Sequence, residues 1–145
     1  MSFLGQYEHK LDAKDRLTVP SNFRDDLSEG VILLRGLSAS VWVFSPEGYE
    51  RFKQNFVGTT NPLGRKGQMV RHHFASGAFA DKVDSAGRIR VPKKLQEHAS
   101  VSEGDCVVVG ADDWFEIWNT EQWAAYEKEM GAEINDIAEN LSELD

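Results

Sequence analysis

Two stretches of this chain place an aspartate four residues ahead of an arginine and then run on into an aliphatic-x-Val-Pro ending. They are Asp12-Ala13-Lys14-Asp15-Arg16-Leu17-Thr18-Val19-Pro20 and, 72 residues later, Asp84-Ser85-Ala86-Gly87-Arg88-Ile89-Arg90-Val91-Pro92. In a tight turn between strands, such an aspartate accepts hydrogen bonds from the turn amides and holds the backbone in shape. The arginine then projects from a rigid base. Its planar, permanently charged guanidinium suits bidentate recognition of phosphate oxygens or guanine edges in a major groove. A plainer role is open to the same residues, an Asp–Arg ion pair that only fixes the turn. Lys14 and Arg90 add cationic side chains to the same stretches.

The elements around these turns are duplicated. Gly5 to Pro20 aligns without a gap to Gly77 to Pro92, matching a glycine, an aromatic, a lysine, the Asp and Arg of the motif and the closing Val-Pro. After a two-residue insertion, Gly30-Val31-Ile32-Leu33-Leu34 lies opposite Gly104-Asp105-Cys106-Val107-Val108, and Val41-Trp42-Val43-Phe44 opposite Phe115-Glu116-Ile117-Trp118. Agreement in order, spacing and residue class over this length marks an internal duplication.

Each copy reads as strands at 5–11 and 77–83, the motif turn, and short strands at 17–19 and 89–91. In the second turn Gly87 supplies a left-handed residue. Pro20 and Pro92 end those strands and open short helices that turn Phe23, Leu27 and Leu95 inward. Hairpins follow at 31–35 with 41–44 and at 106–109 with 115–118. Ser45-Pro46 and Asn119 are helix starts, and 68–75 reads as a helix after a loop at 61–64. In the last helix, Trp123, Tyr126, Met130, Ile134, Ile137 and Leu141 recur every three or four residues, which predicts packing through Trp123, Tyr126, Met130 and Ile134. The expected class is α+β, two tandem barrel-type units with short helices related by a pseudo-two-fold. The expected divisions are 5–52 for the first repeat, 53–76 for a connecting helix and loop, 77–126 for the second repeat, and 127–145 for an acidic helix and tail.

Composition narrows the class. No apolar run is long enough to span a bilayer, and Met1 to Gly5 lacks the basic-then-apolar pattern of a secretory signal, so a cytoplasmic protein without membrane contact is expected. A lone cysteine, Cys106, permits no internal disulfide and sits in an apolar run that reads as buried strand. The formal charge of −8 opposes phosphate binding, but eight acids against the single base Lys128 lie between Thr120 and Asp145. The remainder is nearly neutral and has basic clusters at Arg65, Lys66 and Arg71 and at Arg88, Arg90, Lys93 and Lys94.

With both motifs and nearly the whole chain in register, the sequence resembles the MraZ family, two-copy relatives of the AbrB-type swapped-hairpin transcription factors. The resemblance implies a sequence-specific, nucleoid-associated regulator, a repressor by expectation. Its implied partner is double-stranded promoter DNA carrying short direct repeats, ahead of the division and cell-wall gene cluster, and its implied assembly is a homo-oligomeric ring. It maps DNA contact onto Arg16 and Arg88, with Lys14 and Arg90 alongside and Asp12, Asp84 and Gly87 as motif scaffold. The chain departs from the family pattern at Asp15, where glycine is usual, and at Ala86, where a lysine is expected.

No catalytic group, metal site, cofactor or small-molecule substrate is expected. No glycine-rich phosphate loop or His-Glu-x-x-His is present, and the neighbours His72 and His73 point about a hundred degrees apart on a helix. One is expected partly buried and the other on the surface. The competing function is an oligomeric protein-interaction module without direct DNA contact, in which Phe3, Leu4, Trp42, Phe44 and Trp114 form the contact surface.

Overall fold

The computed structural model describes residues 2–141, so Glu143 and Asp145 of the acidic end lie outside the described residues. Alternating side chains produce strands β1 (Gln6–Leu11), β2 (Arg16–Thr18), β3 (Val31–Arg35), β4 (Val41–Phe44), β5 (Phe79–Asp81), β6 (Arg88–Arg90), β7 (Gly104–Gly110) and β8 (Phe115–Asn119). Helices are α1 (Pro46–Asn55), α2 (Arg65–Ala75), α3 (Lys93–Ala99) and α4 (Thr120–Glu139). The class is α+β, as the strand and helix patterns predict. At α1 the Ser45 side chain accepts from the Gly48 amide with Pro46 in the first turn, and at α4 the Asn119 side chain accepts from the Gln122 amide.

All eight strands join one antiparallel sheet in the order β5-β3-β4-β8-β7-β1-β2-β6, curled into a nearly closed barrel. The tandem copies interleave within it. β1 of the first copy pairs with β7 of the second, β5 with β3, β4 with β8 and β2 with β6. Exchanging the copies returns the same cyclic order, which is the pseudo-two-fold expressed in strand pairing.

The pleat sends Leu17, Val43, Ile89, Val108, Phe115 and Ile117 into one continuous core. Phe23, Leu27 and Leu95 join it from the segments after Pro20 and Pro92. The opposite faces of β4 and β8 serve the helices. Trp42 and Phe44 pack with Phe52 of α1 and Phe74 of α2, and Trp114 stacks on Trp42 at 4.6 Å. Trp118 stacks on Tyr126 of α4 at 5.1 Å.

Several elements differ from the sequence reading. Residues 21–27 form two 3-10 turns, held by Phe23 N–H to Pro20 O and Leu27 N–H to Arg24 O, where the second copy forms the regular α3. α2 begins at Arg65, three residues before the expected start. β5 stops at Asp81 because the Asp81 carboxylate takes the Lys82 amide out of the ladder. Trp123 and Tyr126 of α4 pack against Trp118, whereas Met130 and Ile134, expected to pack, are 39% and 48% exposed. Phe3, Trp42 and Phe44 are buried inside the chain, which removes them from the expected contact surface. Cys106 is buried as its run implies, and desolvation pushes its thiol up to about 11.

Glu116 ties the two outer clusters together. One carboxylate oxygen accepts from the Trp114 indole N–H at 2.9 Å and the other from that of Trp118 at 2.8 Å. Burial raises its pKa against the opposing pull of these bonds. A raised folded pKa favours the protonated fold, a contribution present below the unfolded pKa and lost as pH rises through the folded one. Glu116→Gln keeps one indole acceptor without the buried charge. Removing the titrating group is therefore expected to flatten the part of the fall in Tm that this carboxylate causes as pH rises from about 4 to 7, read in thermal melts followed by circular dichroism.

Candidate nucleic-acid interface

Both motif turns are built alike. Asp12 Oδ1 accepts the Lys14 and Arg16 amides, each at 2.9 Å, and its Oδ2 meets Arg16 Nε at 3.0 Å. Asp84 accepts the Ala86 amide at 3.0 Å, the Arg88 amide at 2.9 Å and Arg88 Nε at 2.9 Å. The Arg16 amide is the main cause holding the Asp12 carboxyl below the usual range, and the Arg88 amide does the same for Asp84. Depressed folded pKa values contribute stability present above the unfolded pKa and lost as pH falls through the folded one, so the turns hold through mildly acidic pH.

The aspartate thus braces the turn and pairs with its arginine, but only at Nε. Among the described residues no protein group engages the terminal Nη atoms of Arg16 or Arg88, and their side chains are 29% and 32% exposed. The plain ion-pair role and a ligand-facing fork are compatible: the bond at Nε orients the guanidinium and leaves its outer edge for a planar acceptor.

Each turn is completed by the other copy. Val19 N–H reaches Gly87 O at 2.8 Å, and Val91 N–H reaches Asp15 O at 2.7 Å. Both accepting residues are left-handed, Asp15 at φ 65° and Gly87 at φ 79°. At Gly87 a Cβ would lie 2.5 Å from the Arg24 guanidinium, which fills that space while Arg24 Nε bonds Val19 O at 2.9 Å. In the first turn Gln96, the positional counterpart of Arg24, bonds both Val91 O and Asp15 Oδ1, and Lys93 Nζ lies 3.0 Å from the same carboxylate. These bonds hold the Asp15 carboxyl below the usual range. Its charge is thereby taken up chiefly by Gln96 and Lys93, with Arg90 adding to the pull. The part played by Arg24, Gln96 and Lys93 is not visible in the motif, and only the 72-residue alignment of Arg24 with Gln96 could have pointed to it.

Antiparallel pairing joins β2 and β6 into a ribbon in which Arg16 lies opposite Arg90, Leu17 opposite Ile89 and Thr18 opposite Arg88. Leu17 and Ile89 point into the core, so alternation turns Arg16, Thr18, Arg88 and Arg90 outward together. Arg90 also lies over the Phe79 ring at 5.2 Å. Lys14 is exposed at the tip of the first turn. The structure therefore gathers Lys14, Arg16, Arg88 and Arg90 on one surface, a two-stranded basic ribbon of the kind a major groove admits.

His72 is exposed, while His73 and His98 each place Nε2 3.2 Å from the Gly36 carbonyl. Among the described residues no group of three or more His, Cys, Asp or Glu is placed to hold a metal ion. No described helix is long and apolar enough to cross a membrane.

Comparison with known proteins agrees with the repeat. The family described as "MraZ protein, putative antitoxin-like" matches residues 2–65 and 74–144, one segment for each copy. The chain is 36% identical over 147 aligned positions, covering 99% of both sequences, to the "Transcriptional regulator MraZ" of Ligilactobacillus salivarius (strain UCC118). It is 35% identical over 142 positions, covering 97% of both, to the protein of the same name from Thermoanaerobacter sp. (strain X514).

The packing over the second turn makes a direct prediction. Gly87→Ala forces a side chain onto a positive-φ residue and into the Arg24 guanidinium, so it is expected to cost about 1–3 kcal/mol. Urea titration of the purified variant measures the loss, and an unchanged midpoint would contradict the packing described.

Proposed function

Because this chain belongs to the MraZ family of transcriptional regulators, we propose that it binds double-stranded DNA through the outer face of the β2–β6 ribbon. The observation that carries this reading is the shared outward direction of Arg16, Arg88 and Arg90, the motif arginines being oriented by Asp12 and Asp84. A ribbon whose inner residues are locked in the core loses little freedom on binding, and its forked cations match phosphate oxygens and guanine edges. The acidic charge does not oppose this, because much of it rides on α4.

The target is the promoter of the division and cell-wall gene cluster, read as short direct repeats, and the effect is repression in the cytoplasm at the nucleoid. Assembly into a closed homo-oligomeric ring brings several ribbons to those repeats at once. The outer part of α4 supports assembly: Tyr126, Met130, Ile134 and Ile137 form a stripe 39–48% exposed in the single chain. The interaction-module alternative is weaker because Phe3, Trp42 and Phe44 are spent on the chain's own packing.

Arg16→Ala is expected to leave the circular dichroism spectrum and oligomer mass unchanged. Binding to promoter DNA should fall by about 1–3 kcal/mol per site, compounded where several sites engage together. Titration of labelled DNA from upstream of the gene reads the loss, and the parent's affinity should drop steeply with salt. A folded, assembled Arg16→Ala protein that binds like the parent would eliminate the ribbon as the DNA-binding surface. Light scattering at micromolar concentration should report several subunits, and a monomer mass would contradict the ring.

A further inference from the structure

The β2–β6 ribbon combines a two-fold backbone with a one-sided charge. The duplication equates Arg16 with Arg88 and Thr18 with Arg90. The register places Leu17 against Ile89 on the axis, Arg16 against Arg90 at one end and Thr18 against Arg88 at the other. The first-turn end therefore carries two adjacent arginines where the second carries an arginine and a threonine.

Most neighbouring positions lean the same way, Asp15 in place of Gly87 being the exception. Lys14 corresponds to Ala86, Lys93 to Ser21 and Lys94 to Asn22. Asp15 holds Lys93 at the first-turn end. Beyond it, Arg35, Phe79, Lys93 and Lys94 line an open groove of about 570 Å³, with Arg90 lying over that Phe79 ring. At the second-turn end Arg24, aligned with Gln96, is turned onto Val19 O and the space above Gly87, and Asp25 and Asp26 follow it where the first-turn end has Glu97 and His98.

We infer that each subunit reads DNA from one end of this ribbon. Arg16 and Arg90 act as a contiguous pair at the base edges, and Lys14, Lys93 and Lys94 contact the flanking phosphates. Arg88, without a second arginine beside it, contributes less than this pair, and the difference between Arg90 and Thr18 sets the direction in which the unit lies on the duplex. This rests on the DNA-binding reading above and adds a polarity to it. A ribbon with two-fold side chains would accept a site in either direction equally. One extra bidentate arginine at one end separates the two orientations by about tenfold or more.

The test titrates Arg90→Ala, Arg90→Lys, Arg88→Ala and Thr18→Arg against labelled DNA from upstream of the gene at fixed salt, with circular dichroism on each variant. Arg90→Ala is expected to lose about tenfold or more in affinity, Arg90→Lys to fall between it and the parent, and Arg88→Ala to lose less than Arg90→Ala. Orientation is read separately by an iron chelate on a cysteine introduced at Ala13, the native Cys106 being buried. The parent should cut one flank of each protected element. Thr18→Arg, which gives both ends of the ribbon an arginine pair, should add cutting on the second flank. The polarity is overturned if Arg88→Ala loses as much as Arg90→Ala, or if the parent cuts both flanks equally. The orientation result and Arg88→Ala decide the matter even if Arg90→Ala fails to fold. A parent that does not bind the DNA at all removes the DNA-binding reading itself.

Discussion

The barrel depends on the pairing of β2 with β6. Each strand is three residues long, and a ribbon this short is marginal by itself. It persists because Leu17, Val19, Ile89 and Val91 are 0–1% exposed in the common core. Val19 and Val91 each lend an amide to the other copy's turn. Neither turn is complete without the opposite strand, so the two motifs stand or fall together. Duplication here supplies the missing half of a site, and the outer arginines inherit the rigidity of the core beneath them.

Closing the ribbon forces a left-handed residue at each turn, and the two copies meet that demand with different chemistry. Gly87 adopts the conformation at little cost and leaves a volume that Arg24 fills. Asp15 is less suited to it, but its carboxylate gains hydrogen bonds from Gln96 and Lys93. The backbone bonds are nearly the same in both turns, whereas the charge reaching solvent differs. Matching backbone bonds in the two turns are thus compatible with an asymmetric surface, because backbone hydrogen bonds do not depend on side-chain identity.

Outside the barrel, one sheet face serves two helical layers. Trp114, just before β8, and Glu116 and Trp118 within it link the layer formed by α1 and α2 to the first turns of α4. The carboxylate costs stability by its burial and repays part of it through two indole donors. Glu127 still meets Gln6 of β1, while the apolar stripe of Tyr126, Met130, Ile134 and Ile137 stays 39–48% exposed.

Much of this was legible in the chain itself. The duplication, the Asp-braced turns, both hairpins, the caps at Ser45 and Asn119 and the inward Phe23, Leu27 and Leu95 follow from signals spanning a few residues, since local hydrogen bonding and side-chain period act over that range. The interleaving of the copies did not follow, nor did the adjacency of Arg16 and Arg90, the capture of Asp15 by Gln96, the inward placement of Trp42 and Phe44, or the exposure of Met130 and Ile134. Those were decided by tertiary structure, because pairing between residues some seventy to eighty apart depends on which edges and apolar faces remain uncovered once both copies are folded. A helix's apolar period states which face it could bury, and only the packed sheet determines how far along the helix there is anything to bury it against.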